Sequence, residues 1–340
     1  MKTQRVLFLC KKRSTDYHVS TGLLNSSQFI ANYLMDKGID SKVVDCIDAN
    51  SIDKEVFLYK PTHVIISAIW VTPAKLEELI HKYRNIQWQV RIHSKIPFIA
   101  NEGIAFEWIL NYVKIDKWKE NLTISGNSPE FCHALSATLD MEELYLPNIY
   151  RPTYKPDIVH KKCDGVIDIG CFGAIRPLKN QLMQAMAAIA FGNVIDKQIR
   201  FHINVDRTEQ AGEQVLKNIR ALFKGSRHTL VEHPWMKHIE FLALVASMDI
   251  GMQCSITETF NIVCADFVHM RVPIVVSKEI QWMDANHSVD PMSMDAIIKE
   301  LLYIYDEGRI HRAIENQIDI WKLEKYNTDA GKKWLEYINS

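Results

Sequence analysis

The chain has 340 residues, a length that corresponds to about two domains. Hydrophobic residues make up 47% and charged residues 24%, an ordinary globular balance, and the formal net charge of −1 excludes a general attraction to nucleic acid or to an anionic membrane. A local basic groove is still compatible with that total, because the charge of a site and the charge of the chain are different quantities.

The seven cysteines are scattered along the chain, and no Cys-x-x-Cys pair occurs. An odd number of dispersed cysteines indicates reduced thiols and argues against both a disulfide framework and a zinc site. The apolar run at the N-terminus is too short for a signal peptide or a membrane span. We therefore expect a cytoplasmic protein that does not cross a membrane.

In the first half, apolar runs alternate with amphipathic runs, which is the pattern of βαβ units and of a parallel sheet buried on both faces. The predicted strands are Arg5–Cys10, Lys42–Cys46, His63–Trp70, Trp88–His93, Asn121–Ser125 and Glu143–Leu146. The predicted helices are Ser26–Lys37, Thr72–Tyr83, Ile104–Val113 and Pro129–Leu139. Thr72 and Ser128 each precede a proline, as N-cap residues often do, and Gly38 indicates a helix end.

Three prolines within Leu146–Pro156 predict an extended interdomain linker. The alternation then resumes. The predicted strands of the second half are Val166–Phe172, Gln198–Val205, Thr229–Glu232, Asp249–Gln253 and Pro273–Ser277, and the predicted helices are Lys179–Phe191, Glu209–Phe223, Ile239–Ala246 and Ile262–His269. The chain after about Asp295 is predicted to be helical. We expect a first domain over residues 1–152, a second over 153–310, and a helical segment over 311–340 that packs back on the first.

The expected fold class is therefore α/β, with two Rossmann-like domains whose parallel sheets face each other across a cleft. Ligands bind at the carboxyl ends of the strands in open sheets of this kind, but the fold alone selects no ligand.

The most informative segment runs from Ser255 to Ser277, with the sequence SITETFNIVCADFVHMRVPIVVS. A polar loop follows a predicted strand, and a helix begins near Asn261. The backbone N–H groups of Thr259, Phe260, Asn261 and Ile262 would face the strand-end crevice, and a helix N-terminus with free N–H groups favours phosphate. Glu258 and Asp266, eight positions apart, would then reach different parts of one ligand.

This segment resembles the E-x7-E signature of retaining GT-B glycosyltransferases of the large family numbered four. The first acid would be Glu258, the aromatic Phe260, the second acid Asp266 and the strand proline Pro273. The resemblance implies that Glu258 and the following amides hold the donor sugar and its diphosphate. It also implies that Asp266 binds the ribose of the donor nucleotide.

Three positions depart from the family pattern. The second acid is Asp266, one methylene shorter than glutamate, and Asn261 and Arg271 stand where glycine is usual. Aspartate can still accept two hydroxyl hydrogen bonds, and asparagine tolerates a positive φ better than other non-glycine residues. Nothing in the sequence accounts for Arg271.

A second matching element is IGCFGAIRPLKNQ, which resembles the family's basic diphosphate clamp, with Arg176 and Lys179 as its cations. Fixed cations stabilise the charge that develops on a leaving nucleoside diphosphate. Trp235, in the loop after a later strand, would either stack on the nucleotide base or act as a packing residue.

The first domain resembles the family more loosely. His93 ends a predicted strand, and it either lines the reacting centre, as in the family, or simply ends the strand. Gly22 matches the family's acceptor-side glycine loop. The basic run Lys11, Lys12 and Arg13 either forms a solvated loop, which we favour, or contacts an anionic acceptor, and Arg91 lies near His93 on the same acceptor side.

The sequence contains no G-x-G-x-x-G, Walker A or D-x-D motif, which argues against an NAD enzyme and a P-loop NTPase and fits metal-independent transfer. We expect a hexosyl- or pentosyltransferase that uses a nucleotide sugar as substrate and needs no metal or other cofactor. The resemblance is greatest to phage-encoded members, so a hydroxylated base in phage DNA is a candidate acceptor. A glycan or lipid acceptor, a non-catalytic binding module and a sugar-nucleotide epimerase of the same architecture remain alternatives.

Overall fold

The computed structural model describes residues 4–12, 22–118, 121–153, 165–283, 288–306 and 309–340. The chain divides into two compact units: unit 1 comprises Met1–Pro152 with Tyr326–Ser340, and unit 2 comprises Thr153–Lys325. Arg13 of the basic run lies outside the described residues.

Unit 1 contains a five-stranded parallel sheet in the order β2-β1-β3-β4-β5. Its strands are β1 (Arg5–Lys11), β2 (Asp40–Cys46), β3 (His63–Ser67), β4 (Gln87–Ile92) and β5 (Leu122–Gly126). Its helices are α1 (Gly22–Asp36), α2 (Ser51–Tyr59), α3 (Pro73–Lys82), α4 (Ile96–Ile99), α5 (Ala105–Trp118) and α6 (Pro129–Leu139). This strand order is one of the two common doubly wound arrangements.

The two-residue period of β1 divides the core of unit 1 between the two faces of the sheet. Leu7 and Leu9 pack in a cluster with apolar residues of α3 and α5. Val6 and Phe8 face the opposite way, in a cluster with α1 and the end of the C-terminal helix. Both faces are therefore buried, as a parallel sheet requires.

Unit 2 contains a six-stranded parallel sheet in the order β11-β10-β9-β6-β7-β8. Its strands are β6 (Ile167–Gly170), β7 (Ile199–Asn204), β8 (Thr229–His233), β9 (Ile250–Gln253), β10 (Ile274–Ser277) and β11 (Ser288–Val289). A 3-10 turn over Pro177–Lys179 precedes the helices α7 (Gln181–Val194), α8 (Gly212–Phe223), α9 (His238–Ala246), α10 (Ile262–His269) and α11 (Met294–Asp306), and α12 (Arg309–Asn339) ends the chain. Counted from β6, this is the Rossmann strand order, whose topological switch point lies between β6 and β9.

Two glycines set the distance of α10 from this sheet. A Cβ on Gly251 would lie 2.6 Å from the ring of Phe267, and one on Gly170 would lie 2.9 Å from the same ring. The ring of Phe267 therefore lies directly on the backbone of β6 and β9. This close packing fixes the helix that carries Asp266.

Most predicted elements are present within a few residues of their expected ends. Thr72 caps α3 by accepting from Lys75 N at 3.3 Å, with Pro73 as the first helical residue, and Gly38 follows α1 with φ +82°. The strand predicted over Glu143–Leu146 is wrong, since only an isolated bridge joins Tyr145 to Gly126.

The proline-rich segment after that bridge is more enclosed than a solvated linker would be. Residues 146–150 have no regular secondary structure, yet all five are buried in unit 1. The indole of Trp334 donates to Pro147 O at 2.8 Å. The side-chain amide of Asn327 accepts from Tyr150 N and donates to Tyr150 O, each at 2.8 Å. Side chains of the returning C-terminal helix thus satisfy backbone groups that no strand partner reaches. Among the described helices, none is long and apolar enough to cross a bilayer.

Candidate functional site

The switch point of unit 2 brings together the two segments that the sequence singled out. Lys179 ends the 3-10 turn after β6, and Glu258 lies in the loop after β9. Backbone and side-chain bonds join these segments: Ile256 N donates to Leu178 O at 2.9 Å, and Asn180 Nδ2 donates to Cys254 O at 3.2 Å. The relative position of Lys179 and Glu258 is therefore set by the backbone of both loops.

Lys179 Nζ donates to a carboxylate oxygen of Glu258. Both side chains are largely enclosed, with exposed fractions of 12% and 8%. Burial raises the pKa of the Glu258 carboxyl, but Lys179 and Arg176 outweigh that effect and hold the pKa below its ordinary value. Burial lowers the pKa of Lys179, and the Glu258 carboxylate beside it opposes that shift. The pair is an ion pair with little water around it.

The turn before α10 has the conformation that its sequence predicts. Asn261 takes a left-handed φ of +58°, and its side chain caps the helix by accepting from Cys264 N at 2.9 Å. Its amide also donates to Gln253 Oε1 at 2.8 Å. A glycine could supply the φ but neither hydrogen bond, so asparagine is suited to this position.

Phe260 packs inside the unit, 1% exposed, and stacks on Trp282 with ring centroids 5.5 Å apart. The Trp282 indole donates to Phe260 O at 2.7 Å. Thr259 and Ile262, on either side of the buried Phe260 and Asn261, are partly exposed. Gln253 and Trp282, which the sequence did not single out, therefore fix the loop that carries Glu258.

Arg176 is held by a carboxylate that the sequence analysis missed. Its guanidinium donates to Glu209 Oε2 at 3.1 Å, and Arg207 Nε donates to the other oxygen of Glu209 at 2.7 Å. Arg207 in turn lies over the Trp235 ring, 5.0 Å from its centroid. These contacts connect the loop after β6 to the loop after β8, where Trp235 is half-buried.

Asp266 lies within α10 and is 2% exposed. Its Oδ1 accepts from His238 Nε2 at 2.7 Å, and His238 is the first residue of α9. The sequence did not single out His238. The signal for it was present, since His238 follows Trp235 by three residues in the same connection.

Arg91 and His93 lie at the carboxyl end of β4 in unit 1. Arg91 is fully buried, and its guanidinium donates to Leu146 O at 2.9 Å, to Asn148 Oδ1 at 2.6 Å and to an imidazole nitrogen of His93 at 3.1 Å. Arg91 therefore holds the segment after α6 in place. Burial and the Arg91 cation lower the pKa of His93 well below its usual value, so the imidazole is neutral at pH 7.

The remaining acceptor-side residues lie near the carboxyl end of β1. Lys11 ends that strand, Lys12 follows it, and both are exposed. Gly22 is the first residue of α1. Among the described residues, no group of three or more His, Cys, Asp or Glu side chains is placed to hold a metal ion.

Comparison with protein-family models and with curated proteins gave no match for this sequence. Comparison of the structure with solved structures did. Sucrose-phosphate synthase from Thermosynechococcus elongatus is similar at a TM-score of 0.75 and 12% identity, with 98% of each chain covered. A UDP-forming trehalose-phosphate synthase from Burkholderia xenovorans is similar at a TM-score of 0.68 and 9% identity, with 99% of each chain covered.

A third similar structure is HepE from Anabaena in complex with UDP, at a TM-score of 0.68 and 10% identity, covering 99% of this chain and all of that one. These proteins are GT-B glycosyltransferases. The chain has the GT-B fold. The predicted α/β class with two Rossmann-like domains is thereby confirmed, and at these identities the likeness establishes the fold alone.

Proposed function

We propose that this protein is a glycosyltransferase that moves a sugar from a nucleotide-sugar donor to an acceptor hydroxyl, with retention of anomeric configuration and without a metal ion. The observation that carries the proposal is the set formed by Lys179, Glu258 and Arg176 at the switch point of a GT-B donor unit. A nucleoside diphosphate is the ligand whose charge these cations fit.

The leaving group is stabilised by groups on two loops of unit 2. Arg176 and Lys179 carry positive charge toward the diphosphate, and the backbone amides of Thr259, Phe260, Asn261 and Ile262 at the start of α10 add the positive end of the helix dipole. The hydrogen bonds between the two loops hold these groups near the site before the donor arrives, so the developing charge is stabilised with little movement of the backbone. The cations and amides take the place that a divalent cation has in other transferases.

Glu258 positions the donor sugar, and its low pKa keeps it a carboxylate at neutral pH. In a retaining transfer the acceptor hydroxyl attacks from the face that the diphosphate leaves, and a phosphate oxygen accepts the hydroxyl proton. On the acceptor side, His93 of unit 1 stays the proposed partner of the acceptor. Because its imidazole is neutral, it can exchange a hydrogen bond with the acceptor hydroxyl without adding charge.

The nucleoside part of the donor is placed at the ends of β8 and α10, with Asp266 toward the ribose and Trp235 toward the base. HepE contains UDP, and the Burkholderia enzyme is UDP-forming. We therefore propose uridine diphosphate as the first leaving group to test.

A cytoplasmic location stays a prediction. It agrees with the six described cysteines, which are free thiols: Cys10, Cys46, Cys132, Cys171, Cys254 and Cys264.

We propose as one candidate a phosphate-bearing acceptor, a hydroxylated base of phage DNA, with a glycan or lipid acceptor as the alternative. The exposed cation Lys11 ends β1, and the exposed cation Lys12 follows it. Such a position suits contacts with a phosphate backbone. An acceptor base inside a duplex would have to be flipped out to reach the donor.

The alternative of a non-catalytic binding module rested on Asn261 and Arg271. Both residues have a φ of +58°, the left-handed conformation that glycine would supply. The backbone of the signature segment is therefore kept despite the two substitutions. The two substitutions therefore no longer argue for a non-catalytic module.

The donor half is tested by incubating the protein with nucleotide sugars and measuring released nucleoside diphosphate in the presence of EDTA. We expect release from one donor that survives EDTA and falls at least about 100-fold in Glu258→Gln, the scale of losing a fixed transition-state contact. Glu213→Gln, an exposed carboxylate of α8, is the matched control. Full activity in Glu258→Ala would contradict the assignment, and the anomeric proton of the product, observed by NMR, decides retention.

The acceptor half is tested by duplex binding at increasing salt. If Lys11 and Lys12 contact phosphates, replacing either by alanine should reduce the magnitude of the negative slope of log K against log salt by about one. Lys54→Ala, an exposed lysine of α2, should leave the slope unchanged. Salt-independent or absent duplex binding, together with transfer to a glycan or lipid, would overturn the DNA acceptor while leaving the donor assignment intact.

A further inference from the structure

Asp266 is nearly sealed from solvent in unit 2. Its side chain is 2% exposed, and its neighbours Ala265 and Phe267 on α10 are fully buried. A ribose contact by Asp266 alone would require two hydroxyl groups to reach carboxylate oxygens that expose almost no surface. Aspartate is also one methylene shorter than the glutamate of the family pattern, so its reach is reduced.

His238 contacts Asp266 and is the more exposed residue of the two. Its Nε2 is 2.7 Å from Asp266 Oδ1, and 19% of its side chain is exposed. A carboxylate only accepts hydrogen bonds, so this contact places a proton on Nε2 and fixes the orientation of the imidazole ring. The exposed part of the pair is therefore an imidazole whose direction is set by the acid behind it.

The position of His238 in the chain suits a nucleoside contact. It begins α9, immediately after the connection from the carboxyl end of β8, and Trp235 lies in the same connection. In open parallel sheets, ligands bind at the carboxyl ends of strands. His238 and Trp235 are thus presented at the same end of the sheet as Lys179 and Glu258.

We propose that His238 is the residue that contacts the ribose hydroxyls of the donor nucleotide, and that Asp266 is a positioning residue that acts through His238. The inference rests on the proposed function. It assigns the contact with the ribose of the nucleotide to His238 and not to Asp266. It predicts that His238 determines the preference for ribonucleotides over deoxyribonucleotides.

The experiment measures the dissociation constants of UDP, ADP, GDP and CDP and of their 2′-deoxy counterparts by calorimetry, with the wild type and four variants. For the best nucleotide we expect the wild type to prefer the ribose form about fivefold, the scale of one net hydrogen bond. His238→Ala and Asp266→Ala should bind both forms with nearly equal affinity. Asp266→Asn, whose amide oxygen can still accept from Nε2, should keep most of the preference.

The remaining variant, His133→Ala, removes an exposed histidine of unit 1 and should bind as the wild type does. If His238→Ala keeps the ribose preference while Asp266→Ala loses it, Asp266 contacts the ribose directly and the inference is wrong. If no nucleoside diphosphate binds to the folded wild type, the proposed function fails, and this inference fails with it.

Discussion

Lys179 and Glu258 form an ion pair inside unit 2 that spans the loops after β6 and β9. A lysine and a glutamate so enclosed neutralise each other, and their mutual attraction offsets the cost of removing both charges from water. A bound diphosphate would compete with Glu258 for the same ammonium group. In the proposed reaction, donor binding would therefore exchange one ionic partner of Lys179 for another instead of exposing a new charge.

Variants of the Lys179–Glu258 ion pair can separate its effect on stability from its effect on activity. Lys179→Met and Glu258→Met should each destabilise the protein by about 3–5 kcal/mol, because each leaves a buried charge without its partner. The double variant should recover most of that loss, since two apolar side chains then meet. Thermal unfolding of the three variants, followed by circular dichroism, measures the coupling.

Donor turnover in the double variant is the second readout. A stable protein that releases no nucleoside diphosphate would show that the pair serves the reaction. Recovery of turnover together with stability would mean that the pair serves only the fold.

The sequence was sufficient to predict ten of the eleven described strands, because each strand of a parallel sheet is an apolar run bounded by polar turns. It missed the two-residue strand β11 and placed a strand over Glu143–Leu146 where only a bridge forms. It was also sufficient to place Glu258, Lys179 and Asn261, since each lies close to its strand or helix end. It could not supply His238 and Glu209, because they meet Asp266 and Arg176 across separations of 28 and 33 residues. Contacts between different βα connections depend on strand order, which local patterns do not encode.

Arg271 shows the same limit at a single residue. It follows the end of α10 with φ +58°, and its N–H donates to Val268 O at 3.0 Å. The chain needs a left-handed residue here to leave the helix, and glycine would meet that need without strain. The sequence identified the substitution, but only the backbone shows its cost.

Replacing Arg271 by glycine should therefore stabilise the protein by about 0.5–1 kcal/mol, the strain relieved less the added entropy of the unfolded chain. We expect a rise in Tm of about 1–2 °C by differential scanning fluorimetry. Arg271→Ala keeps the strained φ and removes the same side chain, so it should bring no gain. An equal rise in both variants would assign the effect to the arginine side chain.

The contacts of Asp168 lead to a prediction for the pH dependence of the free energy of unfolding. Burial raises the pKa of its carboxyl, but hydrogen bonds from His202 and Arg200 outweigh burial and lower the pKa to about 2. The His202 contact is 2.8 Å, and Arg200 donates through two nitrogens at 2.6 and 2.7 Å. The folded state thus holds the proton less tightly than the unfolded state, whose value is near 3.9.

A carboxyl of this kind contributes stability that is complete above about pH 4 and is lost as the pH falls toward 2, about 2 kcal/mol in all. Asp168→Asn should be less stable than the wild type at pH 5, and the difference should shrink toward zero at pH 2. Urea unfolding at a series of pH values measures it. Asp140→Asn, which replaces a fully exposed carboxylate, should show no such convergence.

The contacts of Trp334 lead to a prediction for how much the C-terminal helix stabilises unit 1. The indole is fully buried, its ring centroid lies 5.8 Å from that of Phe8, and the Arg91 guanidinium lies 5.4 Å above the ring. Its N–H also donates to Pro147 O. Removing the ring would open a cavity and leave that carbonyl unpaired, so Trp334→Ala should cost about 3–5 kcal/mol.

Trp321 provides the matched control, because it lies on the same helix, is 57% exposed, and belongs to unit 2. Trp321→Ala should lower Tm by less than a quarter of the change in Trp334→Ala, since an exposed ring loses little on truncation. Trp334→Phe should fall between the two, because it keeps most of the apolar contact and loses the hydrogen bond to Pro147. Equal losses at Trp334 and Trp321 would mean that helix propensity, and not the core of unit 1, sets the contribution of α12.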